Sequence, residues 1–294
     1  CATNNGIFAF EVDADSVDEI TALGFETGYF QDLDLFAMVL LPTTTTDTQI
    51  AGVIKYLERE TGATKNPTGV LQDYWRSRTD LVTPKFDALD FGGVTSLHSA
   101  FRGATSLTSL PALNLSGVTD LTYTFLDCSS LSSIDSGLDV SGTTTFYQTF
   151  EGATGLTSFP LLDTSSGTTF YYCWYGCTGL TSFPALDMSS GTNFYNAWFN
   201  CTSLTSFPVI TFSTDAEDDI DFTLAWKSCT SLESFPALNL SRGTNFNQAW
   251  NGCTALTTFP AIALTAGTNF KDAWSNCTAM TSFGSCTFSD DGGD

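Results

Sequence analysis

The chain reads as an α/β solenoid of about eight to nine 24-residue coils behind a small α+β N-terminal module, and three observations carry that reading. An aromatic anchor recurs at Trp75, Phe101, Phe125, Phe150, Trp174, Trp198, Trp226, Trp250 and Trp274, in steps close to 24 residues. Around each anchor the same apolar and small columns return. The composition before residue 66 differs from that of the repeats. A fixed period of this length marks coils that bury their apolar faces against one another. The reading divides the chain into a docking module at 1–66, the array at 67–288 and an acidic tail at 289–294.

The first 45 residues hold eight carboxylates and no Lys or Arg. Gly6 to Val12 and Phe36 to Leu41 read as strands, and Thr43 to Thr46 as a lead-in. Ile50, Val53, Ile54 and Leu57 share one face of a helix over Asp47 to Thr61, stopped at Gly62. A second helix, from about Gly69 to Arg78, puts Leu71 four residues before Trp75 and serves as a divergent capping coil. Cys1 in place of Met reads as a processed or trimmed chain. Acylation of Cys1 is disfavoured, because apolar residues begin at Gly6 and leave little tether.

The stretch from Leu180 to Cys201 shows the repeat at its clearest. Phe194, Trp198 and Cys201 stand at i, i+4 and i+7, one face of a short helix, with Gly191-Thr192-Asn193 as turn and N-cap. After Leu204, the residues around Phe207 and Ile210 form a short extended segment. Pro208 keeps the ladder beside that segment rather than through it. Each coil is thus expected to be strand, turn and short helix.

The columns decide how the conspicuous residues are read. Cys128, Cys177, Cys201, Cys229, Cys253 and Cys277 alternate with Ala104 and Ala153, so the site asks for a small apolar group. Cys173 shares a column with alanines, and Cys286 one with Leu and Ile. These eight read as packing thiols rather than disulfides or metal ligands. All six tryptophans are anchors, exchange with Phe, and read as core rather than as a sugar-stacking ladder; each indole N–H is expected to find a backbone carbonyl. His98, the one histidine, has no partner at a ligand or triad spacing.

One coil is four residues long in excess. Its Asp215, Glu217, Asp218, Asp219 and Asp221 offer oxygen ligands for Ca²⁺, against the plainer reading of a solvated acidic bulge. At the other end, Cys286 and Phe288 occupy core columns with little chain after them. They are expected to form an open coil edge available for contact.

The pattern resembles the BspA-type leucine-rich repeats of bacterial surface and protist proteins. The stretch Phe183 to Trp198 is similar to repeats in marine phage structural and tail-associated proteins. The resemblance spans about Val70 to Phe288, with Phe and Trp replacing many leucines. It implies a leucine-rich-repeat scaffold used for recognition or assembly, with no shared active site.

Composition narrows the function further. Against 32 acidic residues stand 10 basic ones, a formal net charge of -22, which disfavours nucleic acid and anionic membranes. No apolar run reaches the ~20 residues of a membrane span. The expectation is a non-enzymatic structural or recognition protein on a virion or cell surface, with phage attachment favoured. A self-assembling extracellular filament subunit or a bacterial adhesin is the alternative. Its partners would be a protein, a surface glycan or further copies meeting through the coil ends and N-terminal module.

Overall fold

The computed structural model describes residues 68–70, 76–77, 91, 93–215, 217 and 219–288. The N-terminal strands, the helix over 47–61, Cys1, Trp75, Asp218 and the acidic tail lie outside them. Within them are twelve strands of two to four residues, every one paired in parallel. Their registers recur at the repeat length: Ser109 opposes Ser133, Asp187 opposes Thr211, Thr258 opposes Ser282 and Ala263 opposes Thr287. Isolated parallel bridges continue the pattern on a second side, from Ser96 through Asp120, Thr145, Thr169 and Asn193 to Asp221. Among the described residues the architecture is therefore short strands and turns, each paired with the next copy, with no closed barrel.

No helix forms among the described residues, which corrects the α part of the expected α/β class. Thr68–Val70 is a strand paired with Gly93–Ser96, and residues 76–77 form a turn where the second helix was expected. In the repeats the predicted helix is a pair of four-residue turns. Ala197 N–H donates to the Phe194 carbonyl (3.0 Å) and Cys201 N–H to that of Trp198 (3.2 Å). The third residues of those turns, Asn196 and Asn200, have φ of 56° and 60°, the sign a type II turn requires there. Alternate N–H groups leave the coil: Phe194, Asn196, Trp198 and Asn200 donate to Asp221, Thr223, Ala225 and Lys227 of the next copy at 2.8–3.0 Å.

The reason is spacing. Strand-paired coils lie ~4.8 Å apart, whereas an α-helix with side chains is ~10 Å across. Hydrogen bonds hold successive coils together on both sides of the repeat, so the array has no wide edge along which helices fit. Successive turns also bring positions i, i+4 and i+7 to one face, and so reproduce the helical spacing. Asn193 caps as expected of its type, its Oδ1 accepting the Tyr195 N–H at 3.1 Å, but in an Asx turn. Gly191 is required for room: a Cβ there would lie 2.5 Å from the Phe194 ring, and the equivalent Cβ at Gly267 2.2 Å from Phe270. Copies with Leu97 and Leu121 in place of that Phe carry Val94 and Val118 instead.

Side-chain columns fill the interior. Trp174, Trp198, Trp226 and Trp250 are fully buried and stack in parallel, with centroids 5.3–5.5 Å apart and planes within 6°. Beside them runs the parallel column Phe170, Phe194, Phe222, Phe246. A third column of Phe rings lies perpendicular: Phe207 meets Trp198 at 4.9 Å and 80°. Both faces of Trp198 are taken by Trp174 and Trp226, and Phe183 and Phe207 stand perpendicular to it. This overturns the expected carbonyl partner. The indole nitrogens of Trp174, Trp198, Trp226, Trp250 and Trp274 are buried with no hydrogen-bond acceptor.

All eight cysteines among the described residues are free, six of them buried. Their column does more than fill space: the thiols of Cys128, Cys177, Cys201, Cys229 and Cys253 each donate to the anchor carbonyl one copy earlier, at 3.2 Å.

Two predictions follow from this packing. Trp198→Phe repeats what Phe101, Phe125 and Phe150 already show and should cost about 1–3 kcal/mol, whereas Trp198→Ala should cost about 3–5 kcal/mol in urea denaturation. The second concerns alkali. Burial pushes the thiols of Cys177 and Cys229 from 9.0 up to about 12, and desolvation raises Cys201 and Cys253 well above the ordinary value. Above pH 9 the unfolded chain loses these protons while the folded one keeps them, so stability falls as pH rises from 9 towards 12. Each thiol contributes roughly 1.4 kcal/mol per pH unit. Replacing Cys201, Cys229 and Cys253 by Ala, the residue of the same column at 104 and 153, should flatten the decline measured between pH 9 and 10.

Candidate functional site

With the aromatic anchors and thiols occupied in the core, surface columns are what remain. The strand side is the most uniform. From Thr105 through Cys286 eight segments of type Thr-x-Leu-Thr-Ser-Phe-Pro-Ala-Leu turn their Thr and Ser positions and a small residue outward, with a half-buried proline in six of them. Only Asp135 and Glu233 bring charge to it. Threonines on this side are fixed in place, Thr181 donating to the Thr157 carbonyl (3.0 Å) and Thr205 to that of Thr181 (3.3 Å). The apolar column includes Leu161 and Val209, 65% and 66% exposed.

The turn side carries a second feature, which the sequence reading missed. Tyr147, Tyr171 and Tyr195 follow the inner Phe column by one residue, half-buried, and stack with centroids 4.6 and 5.1 Å apart and planes within 9°. Tyr172 packs on Tyr171 at 4.6 Å, Tyr175 stacks on Phe199 at 4.9 Å, and Tyr123 meets Tyr147 edge-on at 5.4 Å. Cations cover the two end rings: Arg102 lies 5.4 Å over Tyr123 and Lys227 5.7 Å over Phe199. Desolvation, then the neighbouring phenols, pushes Tyr147 and Tyr172 up to about 12, so both hydroxyls stay protonated donors. The available signal was the three-copy run of Tyr in one column.

Of the acidic interruption, Asp215, Glu217, Asp219 and Asp221 are described. Asp215 and Glu217 are exposed, the Asp215 carboxylate accepting the Glu217 N–H at 3.1 Å. Asp219 is exposed too. Asp221 is committed to the fold, its Oδ1 accepting the Thr223 N–H (2.9 Å) and hydroxyl (2.5 Å). Among the described residues no group of three or more His, Cys, Asp or Glu side chains is placed to hold a metal ion. His98 is half-buried, its backbone N–H bonded to Ser96 Oγ and its ring edge-on to Tyr123 at 5.4 Å. Cys286 is part-buried, its thiol directed at the Pro260 carbonyl (3.4 Å), while Phe288 is 42% and Phe283 44% exposed. No helix among the described residues is long and apolar enough to cross a membrane.

Comparison with known proteins adds one family. Residues 71–182 and 95–207 match the model described as "Mycoplasma protein of unknown function, DUF285". The two matched windows begin 24 residues apart, one repeat step. No curated protein and no solved structure matches the chain. The chain is similar to that family over these repeats.

Proposed function

We propose that this chain is a non-enzymatic recognition and structural protein of a virion or cell surface, built as a leucine-rich-repeat solenoid of the BspA type. The strand side is its attachment face. The observation that carries this reading is the near absence of charge there in a chain of formal net charge -22. Eight stacked segments present fixed hydroxyls, prolines and small apolar groups, and Leu161 and Val209 stand largely in solvent. Such a surface desolvates cheaply and offers hydrogen bonds in register, as a glycan or protein partner requires. The repeats similar to marine phage structural proteins favour the virion. A second reading, an end-to-end filament subunit, draws on the exposure of Phe283 and Phe288.

The test is binding of the purified, labelled chain to a glycan array and to intact host-type cells. Saturable binding that Ala185→Lys or Val209→Lys reduces about tenfold or more is the expected result, since a buried unpaired charge costs on the order of 2 kcal/mol. Binding that persists in both variants, or none on either support, overturns the strand-face assignment.

A further inference from the structure

The tyrosine ridge on the turn side is more than coil packing requires. Its first column reads His98, Thr122, Tyr147, Tyr171, Tyr195, Thr223, Asn247 and Lys271, so the turn backbone accepts many side chains there. Three successive copies carry tyrosine in it, and Tyr172 and Tyr175 extend the patch of half-buried phenols. Ring stacking alone would be met by Phe, as it is in the core. What Phe lacks is the hydroxyl, and here the hydroxyls gather. That of Tyr147 lies beside those of Tyr123 and Tyr171, and that of Tyr172 beside Tyr171.

Phenols in contact share a reaction that isolated ones do not. A one-electron oxidant takes an electron from a tyrosine while its hydroxyl proton passes to water, which leaves a neutral phenoxyl radical. Its unpaired electron is spread over the oxygen and the Cε atoms. Two such radicals in contact join Cε to Cε. Each of these carbons then releases its hydrogen as a proton, each oxygen takes one up, and both rings are aromatic again. In sum, a pair of phenols loses two hydrogens and gains one C–C bond. With hydrogen peroxide and a haem peroxidase as oxidant, the electrons and protons released reduce one peroxide to two waters.

Tyr147 and Tyr171 meet these needs best. They sit one coil apart with parallel rings, centroids 4.6 Å apart and planes within 6°, so that Cε stands over Cε. Tyr195 follows at 5.1 Å. Competing reductants lie deeper: Cys173, Trp174 and Cys177 are fully buried. Desolvation raises Cys173 well above its ordinary value and Cys177 up to about 12, so both stay unreactive thiols. Held in contact, the pair reacts ahead of any encounter between chains, which a net charge of -22 slows further.

We propose that Tyr147 and Tyr171 form an oxidative cross-linking site, joined Cε to Cε by hydrogen peroxide through a haem peroxidase, and that the bond staples two successive coils. The assignment does not depend on the strand-face reading.

The test treats the full chain, folded and dilute, with a haem peroxidase and limiting hydrogen peroxide. The chain should remain monomeric, gain dityrosine fluorescence and lose two hydrogens in intact mass. Cleavage after Glu151 and Asp163 places Tyr147 and Tyr171 on separate peptides, which should be recovered as one cross-linked species. Tyr147→Phe and Tyr171→Phe keep the ring stack and should each lower that species at least tenfold, whereas Tyr175→Phe should leave it. Melting curves of the untreated variants check that each is folded. The cross-linked chain should unfold at higher urea than the untreated one, because the bond closes a loop of one repeat in the unfolded state. Oxidised Tyr171→Phe should show no such shift. Dityrosine confined to chain-to-chain dimers, or formed within the chain without linking Tyr147 to Tyr171, overturns the site. So does a chain that forms none, and an unshifted urea midpoint overturns the staple.

Discussion

The hydrogen bond from one coil to the next is the constraint on which everything else rests. In the copies around Trp198, four alternate N–H groups of the turn segment donate forward, and on the strand side Thr181 and Thr205 N–H groups donate back to Thr157 and Thr181. With both sides tied at strand spacing, each coil is held parallel to its neighbour. Every side chain then meets its equivalent one copy away. That geometry selects flat rings and small groups: indoles stack at about 5.4 Å, and a thiol fits beneath an anchor carbonyl. The same constraint leaves the indole N–H groups without acceptors, because each indole is enclosed by rings of its own column and of the Phe columns beside it.

Backbone strain is the counterpart of this regularity. Thirteen non-glycine residues among those described have positive φ, including Tyr123, Tyr172 and Leu224. Such residues cost on the order of 1 kcal/mol each. Apart from those of the last copy, they persist because each donates its own N–H to a carbonyl of the next copy, so relaxing one turn would break an inter-coil bond. Isolated coils would not adopt this backbone, and stability is therefore a property of neighbours rather than of single repeats.

The sequence showed the period, the core columns and the packing role of the cysteines, because each of these depends on which residue types substitute for one another. It misled on the helix, since two consecutive four-residue turns place Phe194, Trp198 and Cys201 on one face just as a helix does. One cue pointed the other way. The column Gly103, Asp127, Gly152, Gly176, Asn200, Ser228, Gly252, Asn276 consists of glycine and small polar residues, and all of them have positive φ. The other positive-φ column, with Tyr, Gln and Leu, gave no such cue, because there the ladder overrides propensity. The tyrosine ridge escaped notice for a related reason. Its rings come from three columns that hold unlike residues in other copies, such as Thr122 and Asn247 in the first, Gln148 and Leu224 in the second, Glu151 and Lys227 in the third, and only the fold brings them together.

Surface charge completes the argument. A stack of identical coils repeats any exposed carboxylate at strand spacing, where like charges repel. The strand side avoids this by using Thr and Ser almost throughout. Where an Asp does recur, at Asp139, Asp163 and Asp187, one oxygen accepts the N–H two residues on at 3.0–3.1 Å. At Asp163 the Ser165 hydroxyl, and then the Ser165 N–H, hold the carboxyl below its ordinary value. Repetition thus dictates the surface as well as the core. Where a carboxylate recurs from copy to copy, the N–H of its own turn stabilises it.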